Sequence, residues 1–227
     1  MGKTIMAEIS NYQDEAYIKI RSKIMRLKFI PGERINKKEL QEELSIGATP
    51  MREAILRLSR EGLLLVRPQS GTYVTKIKIS EVYQARFVRE SIEKLVVAEA
   101  ITQITKDDLS ELKKLVSLQE LYLKAKDYDN FFNLDEDFHH TFYTIDHKEF
   151  VWKWLQVVNL QFNRFRFLRL EASNLDWQQI CDDHRAIVEA VSDKLPQRAE
   201  THVGRHLHMV DDDIKVALNL HPDYFEQ

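Results

Sequence analysis

Asp135 and His139 stand four residues apart in a stretch whose apolar residues keep helical spacing, so their side chains stack on one face and could share a cation. His184 and His206 follow on two later helical segments, and a helical bundle can gather ligands from facing helices. One carboxylate oxygen and three imidazole nitrogens suit a borderline divalent ion, zinc first, with nickel, manganese and cobalt also accommodated. The same Asp and His also fit a surface salt bridge, and His202, four before His206, offers an alternative ligand. All 8 histidines lie at or beyond His139, so histidine chemistry belongs to the second part of the chain. His140, His147, His208 and His221 read as solvated, and Cys181, one turn before His184, as buried packing outside the site.

A second chemistry precedes the first. A short helix from Lys37 to Leu44, a turn at Ser45 to Ala48 and a helix opening at Thr49-Pro50 follow one another, with Thr49 as N-cap and proline at the first helical position. Met51, Ala54, Ile55 and Leu58 recur at i, i+3, i+4 and i+7, which leaves Arg52 toward solvent or a ligand. From there its guanidinium could take guanine N7 and O6 in a major groove, a contact worth about 1 to 3 kcal/mol of discrimination. Lys38 would meet phosphate. Two β-rich runs, 63 to 67 and 72 to 74, flank Pro68-Gln69-Ser70-Gly71 and read as a hairpin whose Ser70-Gly71 tip has almost no bulk. The same residues also permit an Arg52 paired with a neighbouring Glu and a hairpin that only packs.

The elements that must position these groups fall into two sets. Residues 12 to 75 read as helix, helix, turn, helix, hairpin, and the pattern after Val74 is helical alone, over 80 to 103, 106 to 125, 127 to 145, 148 to 171, 175 to 194 and 196 to 219. The fold class is mainly α, a winged helix-turn-helix over 1–77 and a bundle of about six helices over 78–227. Residues 1 to 78 hold 15 Lys and Arg against 9 Asp and Glu, the remainder 18 against 27, so halves of +6 and -9 hide within the net charge of -3. A basic reader joined to an acidic module matches that asymmetry. The 227 residues are 30% charged and contain 1 cysteine, which excludes a disulfide scaffold; Leu63-Leu64-Leu65-Val66 is far too short for a membrane span. With no apolar leader at the start, residence in the cytoplasm is expected.

Pro31-Gly32-Glu33-Arg34-Ile35, then Thr49-Pro50-Met51-Arg52-Glu53-Ala54-Ile55-Leu56-Arg57-Leu58, Glu61-Gly62-Leu63 and Gly71-Thr72-Tyr73-Val74 resemble the DNA-binding domain of the GntR family of bacterial transcription regulators. The resemblance implies DNA-facing positions for Lys38, Thr49, Arg52 and Gly71, and the small hairpin tip adds Ser70 as a candidate contact. Gly47-Ala48 departs from it, since relatives carry a Ser or Thr and an Arg before the Thr-Pro, and one cationic contact is lost. Asp135-Glu136-Asp137-Phe138-His139, His184-Arg185-Ala186-Ile187 and His206-Leu207 resemble the FCD effector-binding domain of the FadR subfamily. The likeness implies that Asp135, His139, His184 and His206 are its four metal ligands. Six helices rather than seven match the shorter, VanR-like variant. Asp146-His147-Lys148 replaces a small residue and Asn common in relatives, which alters a pocket wall.

The resemblance also implies an effector. Arg89, in Arg89-Glu90-Ser91-Ile92-Glu93, matches the segment where an inward arginine meets it, although a surface pair with Glu93 fits as well; Arg164 and Arg166 are the reserves. The expected protein is a homodimeric, non-enzymatic repressor that binds a double-stranded operator with two-fold symmetry and is controlled by a small organic acid at a divalent metal ion. Two alternatives share these residues. One is a metal-dependent enzyme with a DNA-binding head, the other a metal-free regulator with an acyl ligand in an apolar cavity.

Overall fold

The computed structural model describes residues 2–168 and 177–226, with side chains from Asp14 onward. Two compact units result. The first comprises residues 1–78 with 221–227, the second residues 79–220. The ends of two predicted helices, at 169–171 and 175–176, lie outside the described residues.

In the first unit, α1 (Gly2–Met25) buries Ala16, Ile20 and Ile24 at four-residue spacing and packs against α3 (Ala48–Arg60). Between them, α2 (Lys37–Leu44) starts at Asn36, whose Oδ1 accepts from the Lys38 and Glu39 N–H groups at 3.1 and 3.4 Å. Ser45 closes it in the left-handed region, φ 54°. The expected N-cap of α3 needs correction: the cap is Gly47, in extended conformation and with no side-chain bond, so Thr49 and Pro50 lie inside the first turn. Pro50 is tolerated there because the opening N–H groups of a helix have no intrahelical acceptor. Met51, Ala54, Ile55 and Leu58 form the buried stripe.

The wing is the antiparallel pair β2 (Leu64–Arg67) and β3 (Gly71–Val74), in register from Leu64 opposite Val74 to Arg67 opposite Gly71. A two-residue strand, β1 (Arg34–Ile35), pairs with the other edge of β3 and gives the order β1-β3-β2. The hairpin was legible, but so short an edge strand carries no periodicity. The tail His221–Gln227 joins this unit: Ile77 bridges Phe225 in parallel, with hydrogen bonds of 2.9 and 3.0 Å, and the Phe225 ring is buried. Counting every residue after 77 as bundle therefore misplaces the tail.

The second unit contains α4 (Ile79–Gln103), α5 (Lys106–Ala125), α6 (Tyr128–Ile145), α7 (Glu149–Val158), α8 (Leu160–Leu168), α9 (Trp177–Ser192), α10 (Pro196–His208) and α11 (Val210–Leu220). Thr105 and Asp108 form a reciprocal capping box at the head of α5. Two stretches read as continuous are interrupted, at Asn159 and at Met209. No Gly or Pro marks either break, although Asp211, Asp212 and Asp213 suit the positive end of a new helix. Helix α6 packs on α4 and α5, and α10 on α4 and α9, so the core faces of α6, α9 and α10 converge. Among the described residues no helix is long and apolar enough to cross a membrane.

Candidate functional site

The apolar stripes that build the bundle carry polar interruptions, and these meet. Helix α6 buries Phe131, Phe132, Phe138 and Phe142 and, on the same side, Asp135 and His139. Helix α9 buries His184 between Ile180 and Ile187, and α10 buries His206 beside Leu207. The four side chains are at most 9% exposed, and each offers a ligand atom within 4.8 Å of the others'. Nε2 of His139 and Nε2 of His184 each lie 3.7 Å from an Asp135 carboxylate oxygen. Neither nitrogen has a hydrogen-bond partner. A buried imidazole nitrogen left without a partner is costly, and a shared cation is the arrangement that satisfies both at once. The four residues expected from the sequence are brought together, and they fit a divalent ion by donor type and by their unfilled valences.

The histidines are held from behind. Glu93 of α4 accepts from His139 Nδ1, and Gln119 of α5 from His184 Nδ1 at 2.7 Å, which leaves each Nε2 as the inward, lone-pair atom. Asp183 lies 3.9 Å from His206 Nδ1 and bonds to Arg205 and to Gln179. Sequence reasoning missed Gln119 and Asp183 and read Glu93 only as a partner of Arg89. A carboxylate on the apolar stripe of α4 was the available signal. Burial lowers the His184 pKa to about 3 against the pull of Asp135, and burial with the neighbouring His184 and His139 takes His206 well below its usual value. Both imidazoles are therefore neutral at neutral pH, the form that ligates a metal. Burial favours the protonated form of Asp135, but the Arg166 guanidinium bonded to it outweighs burial and holds the carboxyl far below the ordinary range.

Arg89 is not on the surface. It is 1% exposed, donates from Nε to Glu93 at 3.0 Å, and its Nη1 lies 3.5 Å from Glu136. Its two Nη atoms have no hydrogen-bond acceptor. Arg166 bonds to Asp135 and to Glu136 and lines a cleft with Phe132, Phe162 and His206, so the two guanidiniums share Glu136. Arg164, also buried, bonds to Gln161 at 3.2 Å. The cleft beside the cluster opens about 30 Å³, room for a small polar group. Cys181 is buried, and its thiol is pushed up to about 12, first by burial. Trp154 of α7 is half exposed.

In the first unit, Lys38, Thr49, Arg52 and Ser70 are exposed and Gly71 is half-buried. Arg52 reaches Glu53 at 3.4 Å, but its side chain is 73% exposed and that pair restrains it weakly. The Ser70 hydroxyl is 2.9 Å from Tyr73 Oη, which steadies the wing tip. Gly71 has φ 144°, a conformation an L side chain rarely adopts.

A winged-helix head on one unit and a buried carboxylate and histidine cluster in a helical bundle on the other are the parts of a two-domain DNA-binding regulator. The FCD domain matches residues 81–209, and the family of bacterial regulatory proteins called gntR matches residues 12–74. The chain belongs to the GntR family of DNA-binding transcription regulators, in its FCD-domain branch. It is 25% identical over 213 residues to the HTH-type transcriptional repressor RspR of Escherichia coli K12, covering 94% of this chain and 93% of that one. Over 170 residues it is 27% identical to the gluconate operon transcriptional repressor of Bacillus licheniformis, covering 72% and 68%. The solved structure of E. coli McbR/YncC superposes with a TM-score of 0.76 at 19% identity, over 92% of this chain and 98% of that one. A putative GntR regulator from Rhodococcus sp. RHA1 gives 0.70 at 16%, over 91% and 97%. The family and these relatives are regulators, not enzymes.

Proposed function

We propose that the protein is a homodimeric cytoplasmic repressor whose grip on a two-fold symmetric operator is set by a small carboxylate at a metal ion held by Asp135, His139, His184 and His206. The observation that carries this reading is the pair of buried Nε2 atoms, on His139 and His184, that face one carboxylate and bond to nothing. Zinc is the first choice by donor type, with nickel, manganese or cobalt accommodated. A bound ion supplies open coordination positions to an oxygen ligand. Arg89, whose Nη atoms have no hydrogen-bond acceptor, and Arg166, at the cleft, offer the cationic end of such a carboxylate site. The repressor reading draws support from the names of the two relatives above, one of them for an operon of gluconate, itself a small carboxylate.

On the DNA side, Thr49 in the first turn of α3 and Arg52 just past it are proposed to meet backbone and base edges, Lys38 a phosphate, and Ser70 and Gly71 the sugar-phosphate edge. The effector can shift operator affinity only by the difference in its own affinity for the two arrangements of the dimer. Two measurements test the scheme. Elemental analysis of protein purified without a histidine tag is expected to find about one transition-metal ion per chain, and less than a tenth even after reloading would remove the ligand assignment. Selection from random duplexes, repeated with candidate organic acids, is expected to enrich a palindrome whose capture one acid weakens.

A further inference from the structure

A groove at the base of the wing gathers three cations, Arg34, Lys37 and Lys38, of which the reading above uses only Lys38. Arg34 on β1 stands opposite Tyr73 of β3, and Arg67 on β2 opposite Gly71 of β3, so all four share one face of the sheet. A Cβ on Gly71 would lie 2.8 Å from Arg34 Nε, so the guanidinium rests over bare backbone. Arg34, Asn36, Lys37, Lys38, Gly71 and Thr72 line an open groove of about 520 Å³. No carboxylate is among these residues. Among the described residues Arg34, Lys37 and Lys38 form no ion pair, whereas Lys19, Lys23 and Arg57 of the same unit are each paired with an acid. The Asn36 side chain already takes the Lys38 and Glu39 N–H groups, so the attraction for an anion comes from the side-chain cations and not from the free end of α2.

Three like charges around one concavity repel each other, and an anion between them removes the repulsion. We propose that Arg34, assisted by Lys37, clamps one phosphodiester of the duplex in this groove, and that Gly71 lacks a side chain so that Arg34 can lie there. This inference rests on the duplex-binding reading. It adds a contact that supplies affinity without sequence preference, a role distinct from that of Arg52. Releasing one phosphate contact changes the slope of log affinity against log salt by about 0.9 on duplex DNA.

The test uses the full chain, titrated against a duplex enriched from a random pool and against a scrambled one, across about 50 to 200 mM salt, where phosphate contacts dominate the slope. Arg34→Ala and Arg34→Gln are expected to weaken both duplexes by the same factor and to flatten the slope by about 0.9, and Arg34→Lys to restore most of it. Lys113→Ala, a change to an exposed cation of α5, serves as the control and should match the unaltered chain. Unaltered affinity and slope in both Arg34 variants, or a loss confined to the enriched duplex, would overturn the proposal while leaving duplex binding intact. If the unaltered chain enriches no duplex at all, the reading on which the proposal rests fails first.

Discussion

Glu93 and Gln119 show how much of the cluster depends on residues that are not candidate ligands. Each accepts a hydrogen bond from a histidine Nδ1 and so selects the tautomer whose Nε2 faces inward. Gln119→Leu should therefore weaken metal binding by about 10- to 100-fold without removing a ligand, measured by competition with a chelator, whereas His184→Ala should abolish stoichiometric binding. Burial has a second consequence. The His184 pKa falls from about 6.5 unfolded to about 3 folded, first through burial, so between those values the unfolded chain binds more protons and stability falls with pH. Burial opposes the shift of Glu93, but His139 and Arg89 prevail and hold it at about 2, which gives the same sign below its unfolded value. Metal-stripped protein should lose melting temperature as pH drops from 7 to 5, with a limiting slope of about 1.4 kcal/mol per pH unit for each such histidine. A melting temperature independent of pH over that interval would contradict the burial of neutral imidazoles.

At the scale of elements, the ligands are only as well placed as the helices that carry them. Helix α10 meets α4 at Gly204, where an added Cβ would come within 2.7 Å of Lys94 Cε and 3.4 Å of Glu90 Oε1. The nearest obstacle is the mobile end of a lysine, so Gly204→Ala should be tolerated. Gly204→Leu should force α10 away from α4, carry His206 off the cluster and lower metal occupancy while helical content stays unchanged, which circular dichroism and metal analysis together would read. The breaks at Asn159 and Met209 belong to this scale as well. Periodicity continued across both, because neither residue stops a helix by itself. The cap at Gly47 was missed for a related reason: Thr49-Pro50 fits the start of a helix equally well one or two residues further in.

For the whole molecule, the division into two units assigns each chemistry its own readout. Loss of His139 should remove metal and effector response but leave duplex binding, while Arg52→Ala should weaken the selected duplex and leave metal content unchanged. The tail belongs to the first of those units, where it pairs with Ile77. Phe225 is 2% exposed and its backbone pairs with Ile77, so Phe225→Ala should cost about 3 to 5 kcal/mol of the stability of the first unit. Denaturation followed by a probe in the wing should detect that loss, with metal content unaffected.

The winged head and the helical bundle were legible in the residues, since a helix opening after a tight turn and apolar stripes of helical period are local properties of the chain, and the four candidate ligands came from the spacing of Asp135 and His139 together with the family resemblance. The structure alone showed that Glu93, Gln119 and Asp183 stand behind the histidines, that Arg89 is buried beside Glu136, that β1 completes the wing and that Phe225 returns to Ile77. These are contacts between residues tens to more than a hundred positions apart, and no local period encodes which distant side chain a helix face will meet. That choice is made only when the packed faces exclude water and every buried polar atom must find a partner.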